Sequence, residues 1–132
     1  INNKYFNKFI HPNNSSIRGV SHLLWTGNTL DTCSSSRNAV FYGDKAIDRS
    51  PCGTGTSARM AQLYERGDLK IKEQFVHESY IGSKFTGLVE RESKVGEFNA
   101  IVPSVEGWAK VYGYNKILID DEDPYAHGFQ VI

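Results

Sequence analysis

A single predicted helix, preceded by a segment rich in glycine and hydroxyl groups, constrains the fold of this chain most. Residues 58–64 combine helix-favouring side chains with apolar residues at helical spacing. Arg59 and Gln62 are expected to face water, and Gly67 suits the end of the helix. The preceding residues, 48–57, read DRSPCGTGTS. The sequence therefore places this segment at the amino terminus of a helix.

The remainder of the chain favours strands, because β-branched and aromatic residues recur in short runs separated by Gly, Pro or charged turns. The predicted strands are 19–26, 38–42, 74–80, 84–91, 98–102, 108–114 and 116–119. Residues 1–18 are predicted to be a mobile leading segment, and residues 27–37 a loop. One long helix among many strands, without strict alternation, indicates the α+β class, with the helix packed against a mostly antiparallel sheet.

Composition excludes several classes of protein. The chain has 132 residues, with 15 basic and 15 acidic side chains. A neutral chain lacks the basic footprint of a nucleic-acid or membrane-surface binder, and no apolar run is long enough to span a membrane. The 2 cysteines are too few for a disulfide-stapled scaffold. The first residues do not resemble a signal peptide, so a cytoplasmic location is expected.

The glycine-rich segment combines three chemical groups that suit an amino acid. A helix amino terminus presents unpaired N–H groups and a partial positive charge, and Gly53 and Gly55 leave room for an anion such as a carboxylate. The same field favours the ionised form of the Cys52 thiol. Asp48, four residues earlier, is placed to hold an amine. A reactive thiol, an anion site and a carboxylate together fit a zwitterionic substrate.

The same residues are also open to other interpretations. Cys52 taken alone fits a buried structural thiol equally well. The run GTGTSA at 53–58 matches the loose dinucleotide fingerprint, but no apolar strand precedes it and no suitably spaced acid follows it. A serine nucleophile elbow is excluded because the pattern G-x-S-x-G is absent.

Residues 48–58, DRSPCGTGTSA, resemble the signature of the proline racemase family. The resemblance continues in ARMAQLYERG at 58–67, FVHESYIGSKFTG at 75–87 and DPYAHGF at 123–129. It covers most of 19–131, whereas the residues before Gly19 match poorly. The resemblance implies a fold like that of diaminopimelate epimerase, in which two similar lobes enclose the site between them.

The resemblance also implies a mechanism without a cofactor or metal. One thiolate removes the Cα proton of the substrate, and an opposed thiol returns a proton to the other face. By position, Cys52 is one of these thiols, Asp48 holds the substrate amine, and the backbone N–H groups of Gly53 and Thr54 hold its carboxylate. Such binding stabilises the negative charge that develops as the proton leaves.

One part of the family pattern is missing from this chain. The second cysteine of the family lies in a Cys-Gly-His motif of the first lobe, and this sequence contains no such motif. We therefore expect 19–132 to be the carboxy-terminal catalytic lobe, preceded by the poorly matched segment 1–18. The missing amino-terminal lobe is then a required partner, without which residues 125–132 lack their packing surface and the chain is inactive. Cys33 lies in a serine-rich loop with no evident activating group, and is not expected to replace the second thiol.

The substrate is narrowed by resemblance within the family. A cysteine at position 52 argues against the dehydratase branch, which usually has threonine there. Residues 19–22 (GVSH) and 41–44 (FYGD) resemble the members that act on 4-hydroxyproline, and His22 is expected to bind the ring hydroxyl. Proline racemase remains the alternative, as does a non-catalytic amino-acid-binding or interaction fragment. A homodimer also stays open. His77 is interpreted as structural, and the acidic run 120–123 as a solvated turn.

Overall fold

The computed structural model describes residues 2–5, 8–43 and 45–131. It contains two helices and eight strands in these ranges: α1 (Asn2–Tyr5), β1 (Ile10–His11), β2 (Asn14–Arg18), β3 (His22–Gly27), β4 (Ser36–Tyr42), β5 (Ala46–Ile47), α2 (Gly53–Glu65), β6 (Gln74–Ser79), β7 (Lys84–Val95) and β8 (Phe98–Glu106). One 13-residue helix accompanies the sheet, as expected for the α+β class.

The sheet that positions the helix has the strand order β3-β4-β6-β7-β8, with the short β5 paired to β4. All neighbouring strands are antiparallel except β4 and β6, which run parallel. The connection between these two strands contains α2, as a parallel crossover requires. The mostly antiparallel sheet with one main helix is confirmed.

The core lies between α2 and the strands β6 and β7. Met60, Leu69, Phe75 and Val89 are its buried apolar residues among those described. Gly87 allows the close approach of the helix, because a Cβ added there would lie 2.6 Å from the Met60 sulfur. A glycine in the middle of a strand is therefore explained by packing.

Helix α2 ends at the position that the sequence indicated. Gly67 has a φ of +78°, a conformation that glycine adopts without steric cost. Its N–H donates to the Tyr64 carbonyl at 3.0 Å, and the Asp68 N–H donates to the Leu63 carbonyl at 2.9 Å. These two bonds form a Schellman motif, which satisfies carbonyls at the end of the helix.

Two expectations about secondary structure were wrong. Residues 108–114 and 116–119 form no strand in the structure, although their composition favours one. Side chains such as Tyr112 and Leu118 are 101% and 84% exposed, so no neighbouring strand or apolar surface rewards the extended conformation. In the leading segment, the structure instead has α1 and the β1–β2 hairpin. Asn2 ties this segment down by accepting from the Val20 N–H and donating to the Val20 carbonyl, both at 2.8 Å.

Other elements extend the predicted pattern. Strand β7 continues to Val95 and β8 to Glu106, beyond the predicted ends at 91 and 102. These two strands form a long hairpin with a register irregularity between Val89 and Arg91. No helix in the described ranges is long and apolar enough to cross a membrane.

Candidate functional site

Cys52 is the N-cap residue of α2. Its sulfur accepts a hydrogen bond from the Gly55 N–H at 3.4 Å and lies 3.3 Å from the Thr54 hydroxyl oxygen. These two contacts hold the sulfur against the first turn of the helix. The half-buried Cys52 is thus placed at the helix amino terminus, as the sequence predicts.

The backbone of Cys52 is in an unusual conformation. Its φ is +64° and its ψ is +120°, outside the regions that a residue with a Cβ ordinarily occupies. Such a conformation costs on the order of 1–3 kcal/mol and persists only where the surroundings determine it. The polar groups on both sides of Cys52 are indeed bonded. Its N–H donates to the Ser50 hydroxyl at 3.0 Å, and its carbonyl accepts from the Thr56 N–H at 2.8 Å.

The first turn of α2 leaves two N–H groups for a ligand. The Gly55 N–H is used by the Cys52 sulfur and the Thr56 N–H by the Cys52 carbonyl. Within the described part of the chain, the N–H groups of Gly53 and Thr54 have no acceptor. Unpartnered N–H groups beside a helix amino terminus are suited to a carboxylate.

A cleft of about 710 Å³ opens beside this helix start. Its floor is one face of α2, because Cys52, Gly55, Arg59, Gln62 and Arg66 recur at spacings of three and four residues. The opposite wall comes from β3 and β4 and includes His22, Leu24, Thr26 and Val40. Thr54 lines the cleft at the amino-terminal end of the helix. The structure therefore brings three of the predicted site residues, His22, Cys52 and Thr54, to one cleft.

Gln62 is exposed, as the sequence predicts, whereas Arg59 is less exposed than expected. Both line the cleft, and Arg59 is half-buried, with its guanidinium donating to the Gln62 side-chain oxygen. The spacing of residues 52, 55, 59 and 62 contained this signal. This polar face lies beside the apolar face of the same helix, so the apolar periodicity alone does not indicate it.

His22 stands on the exposed wall of the cleft, at the start of β3. Its ring stacks on Tyr42 with centroids 5.9 Å apart, and the pairing of β3 with β4 places these two residues opposite one another. The Ser21 hydroxyl lies 2.7 Å from Nδ1 of the ring. Nε2 is thus the nitrogen left for a ligand. Asp44, which belongs to the segment 41–44, lies outside the described residues, as does Ile132, the last residue of 125–132.

The described residues that line the cleft include neither Asp48 nor Gly53. The Asp48 carboxylate instead accepts from both the N–H and the hydroxyl of Ser50, each at 2.9 Å. Ser50 in turn accepts from the Cys52 N–H. One oxygen of Asp48 therefore supports the turn before the helix, and its other oxygen is the one available to an amine.

His77 lies behind the helix start and is fully buried at the centre of β6. Its Nδ1 is 2.9 Å from the Thr56 hydroxyl, and the Asn38 amide nitrogen is 3.1 Å from Nε2. Burial, together with the smaller effect of the nearby positive charge of Arg59, lowers the pKa of His77 from its ordinary value of 6.5 to about 4. The ring is thus neutral at pH 7, and the prediction that His77 is structural fits its place.

The remaining candidates lie away from the cleft. Cys33 is a free, exposed thiol in the loop before β4, and Cys52 is also free. In the acidic turn, Asp120 and Asp123 accept from the N–H groups of Glu122 and Tyr125 at 3.0 and 2.9 Å. These carboxylates therefore stabilise local turns.

Comparison with known proteins gives consistent relatives. Proline racemase is the family whose profile matches, over residues 2–130, so the match includes nearly all of the leading segment. A 4-hydroxyproline 2-epimerase of Shewanella loihica is 61% identical over 123 residues, which are 93% of this chain and 37% of the relative. One from Spirosoma linguale is 63% identical over 124 residues, 94% of this chain and 37% of the relative. The chain thus spans little more than a third of the length of these relatives.

Solved structures agree with this assignment. A hydroxyproline epimerase of Agrobacterium vitis, with bound trans-4-hydroxy-L-proline, has a TM-score of 0.76 and 30% identity, over 98% of this chain and 37% of its own. A probable proline racemase of Agrobacterium radiobacter, with bound carbonate, has a TM-score of 0.74 and 33% identity, over 92% of this chain and 35% of its own. Since the family profile covers nearly every residue and the folds agree, this chain belongs to the proline racemase family.

Proposed function

We propose that this chain is the carboxy-terminal part of a cofactor-independent 4-hydroxyproline 2-epimerase and supplies one of its two catalytic thiols, Cys52. The complete enzyme would interconvert trans-4-hydroxy-L-proline and cis-4-hydroxy-D-proline. The observation that carries the proposal is the start of α2, where a thiol with an N–H donor stands beside the two unpartnered N–H groups of Gly53 and Thr54.

Each group then has a chemical task. The N–H groups of Gly53 and Thr54 bind the substrate carboxylate, and the free oxygen of Asp48 binds its amine. The Cys52 thiolate removes the Cα proton and becomes a thiol, while a thiol of the first lobe gives its proton to the opposite face and becomes a thiolate. In the reverse reaction the two thiols exchange roles, and proton exchange with water restores the starting form after each turnover, so no proton or electron is gained or lost overall. The helix amino terminus stabilises the charge that develops on the substrate carboxylate.

The polar wall of the cleft favours hydroxyproline over proline. His22 and Thr26 line it on the β3 side, and both can bond a ring hydroxyl. Two curated relatives with 61% and 63% identity are named 4-hydroxyproline 2-epimerases, which supports the same choice. Proline racemase is the second candidate within the family, because a probable proline racemase is among the structural neighbours. A candidate from another functional class is a non-catalytic amino-acid-binding fragment, which would keep the groups that bind the carboxylate and the amine but lack the second thiol.

A chimera tests the proposed function. This chain would replace the segment that it matches in the Shewanella loihica relative, to which it is 61% identical. The purified chimera is incubated with trans-4-hydroxy-L-proline or with L-proline, and optical rotation is followed. We expect turnover of hydroxyproline at a kcat/KM at least about tenfold above that for proline, because a site built around a hydroxyl rejects the analogue that lacks it.

The alternatives give other outcomes. A preference for proline would assign the chain to proline racemases. A folded chimera that binds pyrrole-2-carboxylate, a planar mimic of the deprotonated substrate, but turns over neither amino acid would support the non-catalytic fragment. The relative's own complete enzyme, assayed in parallel, is the positive control.

A further inference from the structure

The peptide unit between Pro51 and Cys52 is held at both of its polar ends. At one end, the Cys52 N–H donates to the Ser50 hydroxyl at 3.0 Å. At the other end, the Pro51 carbonyl accepts from the Asn38 amide at 2.7 Å and from the Thr56 hydroxyl at 3.3 Å. A peptide plane held in this way cannot rotate without breaking several hydrogen bonds. The left-handed conformation of Cys52 follows directly after this plane.

Both side chains that bind the Pro51 carbonyl rest on His77. The Thr56 hydroxyl is 2.9 Å from Nδ1, and the Asn38 amide nitrogen is 3.2 and 3.1 Å from the two ring nitrogens. Thr56 and His77 are fully buried and Asn38 is 2% exposed, so water does not compete for these bonds. Removal of a partner from such a network leaves a buried polar group unsatisfied.

The chain of contacts starts on three different elements and ends at one peptide. Asn38 is on β4, Thr56 is on the first turn of α2 and His77 is on β6. His77 lies opposite Phe85 of β7 and Ser36 of β4 in the sheet, and its ring is 5.1 Å from that of Phe75. The buried centre of the sheet is therefore connected through His77 to the backbone immediately before the thiol.

We propose that His77 is a positioning residue for Cys52: through Thr56 and Asn38 it fixes the Pro51–Cys52 peptide, and so keeps the sulfur at the helix amino terminus. This inference deepens the proposed function, since it concerns how the catalytic thiol is held. His77 touches neither the thiol nor the cleft, so it acts only through its two neighbours. An apolar residue of similar volume would fill the same space but would not bind Thr56 or Asn38.

Alkylation of the two cysteines in one molecule tests the proposal. Iodoacetamide at pH 7 is applied to the chimera, and trypsin then releases Cys52 in the peptide 50–59 and Cys33 in the peptide 19–37. The ratio of the alkylation rate of Cys52 to that of Cys33 measures the reactivity of the Cys52 thiol, because Cys33 in the same molecule serves as an internal reference. The variants are His77→Leu and Thr56→Val, which remove the polar groups, and Thr56→Ser, which keeps the hydroxyl.

We expect the ratio of Cys52 to Cys33 alkylation to fall about three- to tenfold in His77→Leu and Thr56→Val, the effect of a lost hydrogen bond. Thr56→Ser should stay within about twofold of the unmodified protein. A residue that only fills the core would lower the melting temperature and leave this ratio unchanged at 25 °C. An unchanged or raised ratio in a folded His77→Leu or Thr56→Val protein, or an equal fall in Thr56→Ser, overturns the proposal.

A measurement on the unmodified protein covers variants that fail to fold. The N–H groups of Cys52 and Cys33 both donate to side-chain oxygens, at 3.0 and 2.7 Å, but only Cys52 belongs to a peptide held at both ends. Hydrogen exchange of the Cys52 amide should therefore be more than about tenfold slower than that of Cys33. Equal exchange rates would contradict the fixed peptide.

The turnover numbers separate this inference from the proposed function. In an active chimera, Thr56→Val should lower kcat by the same factor as the alkylation ratio and change KM by less than about twofold, because Thr56 does not line the cleft. If the chimera is inactive but the alkylation ratio still falls in both variants, the proposed epimerase function is contradicted and the positioning role of His77 is supported.

Discussion

His22 offers one nitrogen to the cleft, because the Ser21 hydroxyl occupies the other at 2.7 Å. In the active chimera, His22→Ala should lower the preference for hydroxyproline over proline by about tenfold in kcat/KM, since one hydrogen bond to the ring hydroxyl is lost. Tyr42→Phe is the matched control, because it keeps the stacked ring beside His22 and removes only a hydroxyl. Full retention of the preference in His22→Ala would show that this residue does not select the substrate.

Short-range sequence patterns predicted the residues at the helix start, but they did not predict contacts between residues that are distant in the sequence. Cys52, Gly53 and Thr54 follow one another in the chain, so their meeting at the helix amino terminus depends only on where the helix begins. His77 contacts Thr56 from 21 positions away and Asn38 from 39 positions away. No local pattern encodes those contacts, because they depend on the order of strands in the sheet.

At the scale of the helix, the two glycines of its first turn have different surroundings. A Cβ at Gly55 would lie 2.8 Å from the Leu24 Cδ1 and 3.3 Å from the Cys52 Cβ, whereas a Cβ at Gly53 would meet no described atom within 4 Å. We expect Gly55→Ala to lower the free energy of unfolding by about 1 kcal/mol through crowding. Gly53→Ala should raise it by up to about 0.5 kcal/mol through helix propensity.

Urea unfolding of the two glycine variants, followed by far-UV circular dichroism, makes this comparison. Equal effects on stability would mean that Leu24 moves aside without cost. Gly53→Ala should still weaken carboxylate binding in the chimera, because the added methyl group stands beside the N–H groups that would hold the substrate.

His77, on strand β6, makes the stability of the folded chain depend on pH. The pKa of His77 is about 4 in the folded protein, below its ordinary value of 6.5. The unfolded chain therefore binds a proton between these two pH values that the folded chain does not, so the free energy of unfolding falls as the pH falls. Between pH 7 and pH 5 the loss from this group is about 2 kcal/mol.

Urea unfolding at pH 7 and pH 5 measures this dependence. His77→Leu should remove about 2 kcal/mol of the difference between the two pH values, because the variant has no group there to protonate. His127, which is exposed, provides the control: His127→Leu should leave the difference unchanged. An identical pH dependence in His77→Leu and the unmodified chain would place the titration elsewhere.

Elements that contact the core followed their sequence patterns, and those without a partner did not. The predicted strands β6 and β7 are present, and they contribute Phe75 and Val89 to the core. Residues 108–119 have a similar composition but are exposed throughout. Strand propensity measures the fit to a packed surface, so a segment that lacks this surface does not realise its preference.

At the scale of the whole molecule, residues 108–131, here called the apolar tail, expose more large apolar side chains than an ordinary protein surface does. Large apolar side chains from residue 108 onward are exposed: Trp108, Val111, Tyr112, Tyr114, Ile117, Leu118, Ile119, Tyr125, Phe129 and Val131. An exposed apolar segment of this extent indicates a surface that another part of a protein covers. The expected first lobe is the partner that we propose for it.

Limited proteolysis tests this partner. Trypsin should cut the 132-residue chain rapidly at Lys110 and Lys116, whose neighbours are exposed, and slowly at Lys84 within β7. In the chimera, cleavage at Lys110 and Lys116 should slow by at least about tenfold, because the first lobe covers the tail. Cleavage of the tail at the same rate in both proteins would contradict the covering lobe.

The most direct test of the account is the exchange of the substrate Cα proton with solvent deuterium, followed by NMR in the chimera with trans-4-hydroxy-L-proline. If Cys52 transfers this proton, Cys52→Ser should lower the exchange rate by at least about 100-fold, the lower end of the contribution of a general acid or base. Binding of pyrrole-2-carboxylate should remain, and Cys33→Ser should exchange at the unmodified rate. Undiminished exchange in Cys52→Ser would contradict the assignment of this thiol.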